Sequence, residues 1–158
     1  VGRATGGAGV EIRVGASVPA PPAVVWGELA RIGDHVRWMR DAAAIEFVGD
    51  RREGVGTTFD CDTRVGPLRL RDRMQVVVWE PERALGVRHL GAVGGEGRFE
   101  LTPAGSGTRL EWVERLRFPW WLGGPIGARV ARVVLRRMWR ANLAAFSELV
   151  ARREADRP

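Results

Sequence analysis

The 158 residues predict an α+β fold in which a curved antiparallel sheet of seven strands lies across one long C-terminal helix. Three observations carry this prediction. The middle of the chain alternates with a period of two and divides into hairpins, Pro-led helical pieces stand near its start, and a helical pattern runs unbroken from Pro125 to about Arg153. The resulting order is strand, two short helices, six strands, long helix.

VEIRV at 10–14 alternates as a first strand, residues 20–32 read as a short helix with prolines at its start, and a second helical piece is expected from Asp34 to Met39. AAIEFVGD at 43–50 is a strand, and REGVGTTF at 52–59 is a glycine-rich turn. In FDCDTRVGPLRLRDRM, residues 59–74, Gly66-Pro67 forms the loop. Hairpin pairing then sets Val65 opposite Leu68, Thr63 opposite Leu70, Cys61 opposite Asp72 and Phe59 opposite Met74 on one face. The other face pairs Asp62 with Arg71 and Asp60 with Arg73, opposite charges that a one-residue slip would separate. Asp72 therefore falls on the apolar side. An unpaired carboxylate is costly there unless the space is wet, hydrogen-bonded or occupied.

MQVVVWEPERALGVRHL places two strands either side of Glu80-Pro81-Glu82-Arg83, with Leu85, Val87 and His89 sharing a face. Residues 95–118 form another hairpin with a turn around Pro103 to Ser106. Pairing Leu101 with Thr108 puts Glu100 opposite Arg109 and Arg98 opposite Glu111, again an outward charge ladder. Its inward face carries Gly95, Gly97, Phe99 and Leu101 against Leu110, Trp112, Glu114 and Leu116, so two glycines facing Trp112 and Glu114 leave room for large side chains or a ligand. The final helix shows a stripe of Gly127, Ala131, Val134, Met138, Asn142, Ala145 and Leu149, with Arg129, Arg132, Arg136 and Arg140 opposite. At 1.5 Å per residue it is about 40 Å long, enough to cross the sheet.

Composition bounds the function classes. The length suits one domain, expected at 10–153, with 1–9 a flexible leader and 154–158 a tail. All 25 basic residues are Arg, and Lys and Tyr are absent. The formal charge of +6 is spread along strands and helix without a basic run or a recognisable reader motif, which argues against nucleic acid as a partner. A single Cys61 excludes an internal disulfide or a multi-cysteine metal site and fits a reducing cytoplasm. No stretch is long and apolar enough to span a bilayer, and no phosphate loop, nucleotide fingerprint or HExxH motif is present. No cofactor and no metal are expected.

The element order and a set of words in the sequence, SVPAPPAVVWGEL, VRWMRD, GVGTTF, WEPER, GRFELTPAGSGTRLEW and RANLAAFSELV, resemble the SRPBCC superfamily, the START-like helix-grip proteins, in its polyketide cyclase/dehydrase-like branch. The resemblance covers most of residues 10–153. It implies a helix-grip fold with a small-molecule cavity between the sheet and the terminal helix. Members that form imines rely on a cavity Lys; this chain has none, so Schiff-base chemistry through Lys is excluded.

The inward faces collect Asp72, His89 and Glu114, which in an apolar cavity suit general acid and base work, with His89 expected as base and Asp72 or Glu114 as acid. The plain alternatives are a structural acid at Asp72, a salt bridge from Glu114 to an Arg, and a satisfied histidine at 89. Phe59, Cys61, Thr63, Met74, Phe99, Trp112, Met138 and Asn142 are expected around the ligand, and Trp38 and Met39 under the short helices. Trp120 and Trp121 precede the long helix beside glycines, as a lid, a membrane-docking loop or plain packing. His35 reads as a surface or lid residue. The leading expectation is binding of a hydrophobic ligand, polyketide-like, aromatic or lipidic. The alternatives are an aromatase/cyclase or dehydratase, a lipid carrier with transient membrane contact, and an interaction module with a collapsed core. A homodimer is a further possible association.

Overall fold

The computed structural model describes residues 8–156. Seven strands, β1 (Ala8–Val18), β2 (Ala42–Val48), β3 (Thr58–Val65), β4 (Leu68–Glu80), β5 (Ala84–Leu90), β6 (Gly94–Ala104) and β7 (Gly107–Phe118), form one sheet. Its order is β1-β7-β6-β5-β4-β3-β2, so the last strand returns beside the first. All neighbours are antiparallel. Helix α1 (Pro22–Leu29) and a 3₁₀ turn (Ile32–Arg37) join β1 to β2, and a second 3₁₀ turn (Trp120–Leu122) leads into α2 (Gly124–Ala155).

The leader expected at 1–9 lies outside the described residues except for Ala8 and Gly9, which open β1. That strand is longer than the expected 10–14 because β7 pairs with it from Ala8 to Val18. At the other end Glu154 and Ala155 complete α2, and residues 157–158 lie outside the description. The helix expected over 20–32 stops at Leu29. Its C-terminal carbonyls lack intrahelical partners, and the buried ring of His35 donates Nε2–H to Leu29 O at 2.8 Å. His35 is therefore a cap beneath α1 and not a surface residue.

The first hairpin has the expected register at every pair from Phe59↔Met74 to Val65↔Leu68. On its outer face Arg73 Nε lies 2.7 Å from Asp60, and Arg71 reaches Asp62 at 3.4 Å and also Glu46 of β2 at 2.5 Å. In the second hairpin the register is two residues away from the expected one. Leu101 pairs with Leu110, and Ala104 with Gly107, because Gly105 takes φ +59° and permits a two-residue loop. Glu100 consequently lies opposite Glu111, and each pairs along its own strand, Glu100 with Arg98 at 3.0 Å and Glu111 with Arg109 at 3.9 Å. An even shift leaves both faces unchanged but brings Gly97 opposite Glu114 and Gly95 opposite Leu116.

The core lies between the concave face and α2. Helix residues Trp139, Leu143, Phe146 and Val150 pack among Ile12, Val14, Leu101, Leu110 and Trp112. These four recur at heptad-like spacing, a face turned by one residue from the expected small-residue stripe. Val134 of that stripe is 43% exposed.

Candidate functional site

Three side chains from three strands meet on the concave face. Asp72 of β4 lies two residues beyond Met74, which pairs with His89 of β5, and Glu114 belongs to β7, two strands from β5. Strands are about 4.8 Å apart, so His89 and Glu114 must bridge roughly 10 Å across β6. They do so because β6 offers no side chains in the way: His89 pairs with Gly95 and Glu114 with Gly97. A Cβ built on Gly97 would meet the Glu114 carboxylate group at 2.6 Å or closer, and one built on Gly91 would overlap Asp72 Oδ1.

His89 Nδ1 lies 2.5 Å from Asp72 Oδ2 and Nε2 lies 3.2 Å from Glu114 Oε2. When both carboxyl groups are ionised they only accept, and both nitrogens then donate as an imidazolium; a neutral tautomer has one N–H. Trp112 donates Nε1–H to the second Glu114 oxygen at 2.8 Å. Burial by itself disfavours the charged ring. The hydrogen bonds and negative charges of Asp72 and Glu114 outweigh it and raise the His89 pKa from 6.5 to about 10. Asp72 and Glu114 are buried, and Asp72 Oδ1 is closed to solvent without a hydrogen-bond partner.

These groups form part of the wall of a cavity of about 220 Å³ between the sheet and α2, whose other walls are mainly apolar. Its lining residues Leu68 and Val134 are 40% and 43% exposed, which places the mouth between the tip of the β3–β4 hairpin and the N-terminal half of α2. An edge-to-face aromatic cluster fills the other end of the hollow: Trp38 lies 4.9 Å from Phe146 and 6.1 Å from Phe99, and Trp112 stacks on Trp139 at 4.8 Å. A larger depression of about 620 Å³ opens over Glu11, Arg88, Glu96 and Arg115 at the other side of the sheet; its charged walls face solvent and it shares only His89 and Leu116 with the cavity. Among the described residues no group of three or more His, Cys, Asp or Glu is arranged to hold a metal ion.

The sequence pattern of the family described as polyketide cyclase / dehydrase and lipid transport matches residues 9–153. The chain belongs to this family. Solved structures similar to this family member include the protein TTHA0849 from Thermus thermophilus, at 18% identity and TM-score 0.81, covering 94% of this chain and 100% of that one. Zhui aromatase/cyclase from Streptomyces sp. R1128 follows at 16% and 0.76, covering 92% and 96%. Truncated norcoclaurine synthase from Thalictrum flavum stands at 15% and 0.70, covering 95% and 98%. At these identities the likeness shows the helix-grip fold alone. No curated protein sequence matches the chain.

Within this cyclase/dehydrase-family cavity, Met39, Phe59, Cys61, Thr63, Met74, Phe99 and Trp112 line the walls with Asp72, His89 and Glu114. Cys61 is buried and its thiol pKa is pushed up to about 11 by burial, so it serves as a small wall residue. Five expected residues are placed elsewhere. Trp38 is buried in the aromatic cluster and Met138 packs at the edge of the core. Asn142 accepts from the Arg40 backbone N–H at 3.0 Å and donates to Asp41 at 2.6 Å, tying the entry of β2 to α2. Trp120 and Trp121 are 78% and 55% exposed and lie outside the lining; Ile126 and Val130 of α2 are exposed as well. Among the described residues no helix is long and apolar enough to cross a membrane. The sequence reading missed His35, Asp41 and Trp139 as lining residues. Trp139 carried a usable signal, its spacing of seven from Phe146; a histidine capping a carbonyl six residues earlier carried none.

Proposed function

We propose that this chain binds a hydrophobic, ring-bearing small molecule between the sheet and α2, with one polar group of the ligand set against Asp72, His89 and Glu114. The observation that supports this most is the carboxylate–imidazolium–carboxylate bridge on the wall of an otherwise apolar hollow. Size narrows the class. An apolar cavity of about 150 Å³ takes benzene, so about 220 Å³ suits one or two rings, with any longer chain extending through the mouth. Native mass spectrometry of the purified protein tests the reading, with Val87→Phe as a variant that fills the cavity. A small hydrophobic species held by the wild type and absent from the folded variant is expected. An empty wild type that also fails to bind 2-naphthylmethanol would refute it.

A second reading, an aromatase/cyclase or dehydratase, is favoured by the convergence of the three groups within 3.2 Å of one another along the chain of hydrogen bonds. The roles then differ from the expected ones. His89 is already protonated at neutral pH, so it suits the acid, and the Asp72 carboxylate, turned so that its unpartnered oxygen faces the cavity, suits the base. For a β-hydroxy ketone, Asp72 takes the α-proton, the C–H electrons form the alkene, the C–O bond breaks, and His89 protonates the departing hydroxyl as water. The Asp72–His89 hydrogen bond then returns the proton to the ring. Dehydration of a β-hydroxy aryl ketone, followed by ultraviolet absorbance, is expected to slow about 100-fold or more in His89→Gln. Equal rates in wild type and variant would remove this reading and leave binding in place.

A further inference from the structure

We infer that the cavity selects hydrophobic amines and rejects hydrophobic carboxylates, an inference that rests on the cavity-binding reading above and specifies its ligand class. The argument begins with charge. All 25 basic residues are Arg, and among the described residues none of them lines the cavity. The carboxylates that do are Asp41, Asp72 and Glu114. Against them stands one cation, His89, and both of its N–H groups are engaged by Asp72 and Glu114. His35, the other lining histidine, gives its Nε2–H to Leu29 O and is held neutral by burial, its pKa lowered to about 4. Negative charge therefore exceeds positive charge on the wall.

Hydrogen-bond capacity points the same way. Trp112 Nε1–H is committed to Glu114, and the Asn142 amide, outside the lining, is committed to Asp41. Two polar donors remain among the described lining side chains other than the histidines: the Thr63 hydroxyl, within 3.7 Å of Cys61 Sγ, and the Trp139 indole N–H, both neutral. An acceptor lacks a donor instead: Asp72 Oδ1 belongs to a lining residue, is buried beside Gly91 and has no partner, so a turn of the side chain would bring an unsatisfied oxygen to a ligand ammonium. A ligand carboxylate would be desolvated beside surplus negative charge with only neutral donors and no free cation to receive it, a combination that burial penalises. An ammonium supplies donors to the carboxylates and cancels part of the excess charge, and its bonds are charge-assisted. The apolar walls and the volume add one or two rings to that head.

The test is calorimetric titration at pH 7 with three probes of one shape, 2-naphthylmethylamine, 2-naphthylmethanol and 2-naphthoate. In the wild type the amine is expected to bind at least tenfold more tightly than the alcohol, and naphthoate at least tenfold more weakly than the alcohol. In Asp72→Asn the amine's advantage over the alcohol is expected to fall below threefold, with a cooperative urea transition showing that the variant is folded. Glu114→Gln gives the same comparison if Asp72→Asn does not fold. Naphthoate binding as tightly as the amine, or an amine preference that survives both substitutions, would overturn the inference and leave cavity binding standing. If none of the three binds the wild type, the cavity-binding reading falls and this inference with it.

Discussion

Gly97→Ala is the most informative single substitution. Its Cβ would sit 2.6 Å or closer to the atoms of the Glu114 carboxylate group, inside any real contact distance. Glu114 is 5% exposed, so its side chain cannot swing into solvent without leaving its partners. Displacement sacrifices the Trp112 bond of 2.8 Å and the His89 bond of 3.2 Å. Hydrogen bonds to a charged group contribute about 1.5–3 kcal/mol each, and a buried charge stripped of its partner costs about 3–5 kcal/mol, so partial relaxation leaves an expected loss of about 3 kcal/mol. With a urea slope of about 2 kcal/mol/M, the unfolding midpoint should fall by about 1.5 M. In a Glu114→Ala background the three atoms nearest the new Cβ are gone, and the cost of Gly97→Ala should drop below about 1 kcal/mol, since a strand tolerates Ala better than Gly. Urea unfolding of the four proteins in this cycle gives a coupling energy of about 2 kcal/mol. A single variant within about 0.5 kcal/mol of wild type, or an equal penalty in both backgrounds, would refute the reasoning that Gly97 exists to seat Glu114.

Three further outcomes follow from the same geometry. His89 has a raised pKa of about 10, so its contribution is complete below 6.5 and is lost as pH climbs through 10; His35, lowered to about 4, contributes above 6.5 and loses that contribution as pH falls through 4. The urea midpoint should therefore be highest near neutrality and decline on both sides, with His89→Gln flattening the alkaline limb; a monotonic profile would contradict the assignment. Asn142→Leu strands the Arg40 N–H and the Asp41 carboxylate, and a loss of about 2–4 kcal/mol should lower the thermal midpoint by roughly 5–12 °C; an unchanged midpoint would show that the tie is dispensable. Cys61, buried with its pKa near 11, should react with a thiol-specific disulfide reagent only on unfolding, and rapid native labelling would contradict its burial.

Legibility in the sequence tracks how local each constraint is. The Phe59–Met74 hairpin can be registered to the residue because Gly66-Pro67 fixes the loop and Asp60, Asp62, Arg71 and Arg73 penalise a slip. The next hairpin lacks that safeguard: Glu100 and Glu111 each find an Arg along their own strands, so opposite charges across the ladder are not required. Both faces are still legible, because strand parity survives an even shift. The buried helix face differs from the expected one because small residues and large ones repeat on neighbouring stripes, and Trp139 with Phe146 decides between them only through tertiary packing. His35 reads as exposed from its neighbours Asp34 and Arg37, while the partner that buries it is a carbonyl at the end of the preceding helix.

The meeting of Asp72, His89 and Glu114 lies beyond local reading for a different reason. Alternation assigns each to the concave face, but whether side chains on β5 and β7 touch depends on the strand between them. With a side chain at position 97, a β6 residue would stand in the path of Glu114, and the three groups would be separate buried charges, each needing its own partner. With glycine there, two carboxylates share one histidine ring, and the sheet tolerates on its concave face an arrangement that leaves one buried acceptor without a partner. The two features are linked: Gly97, which makes room for the Glu114 carboxylate, is itself a residue of the cavity wall, so the space beside a ligand and the space that lets Glu114 reach His89 have the same origin. Filling either with a methyl group should therefore alter stability and ligand binding together, which is the sense in which this site is part of the fold and not an ornament on it.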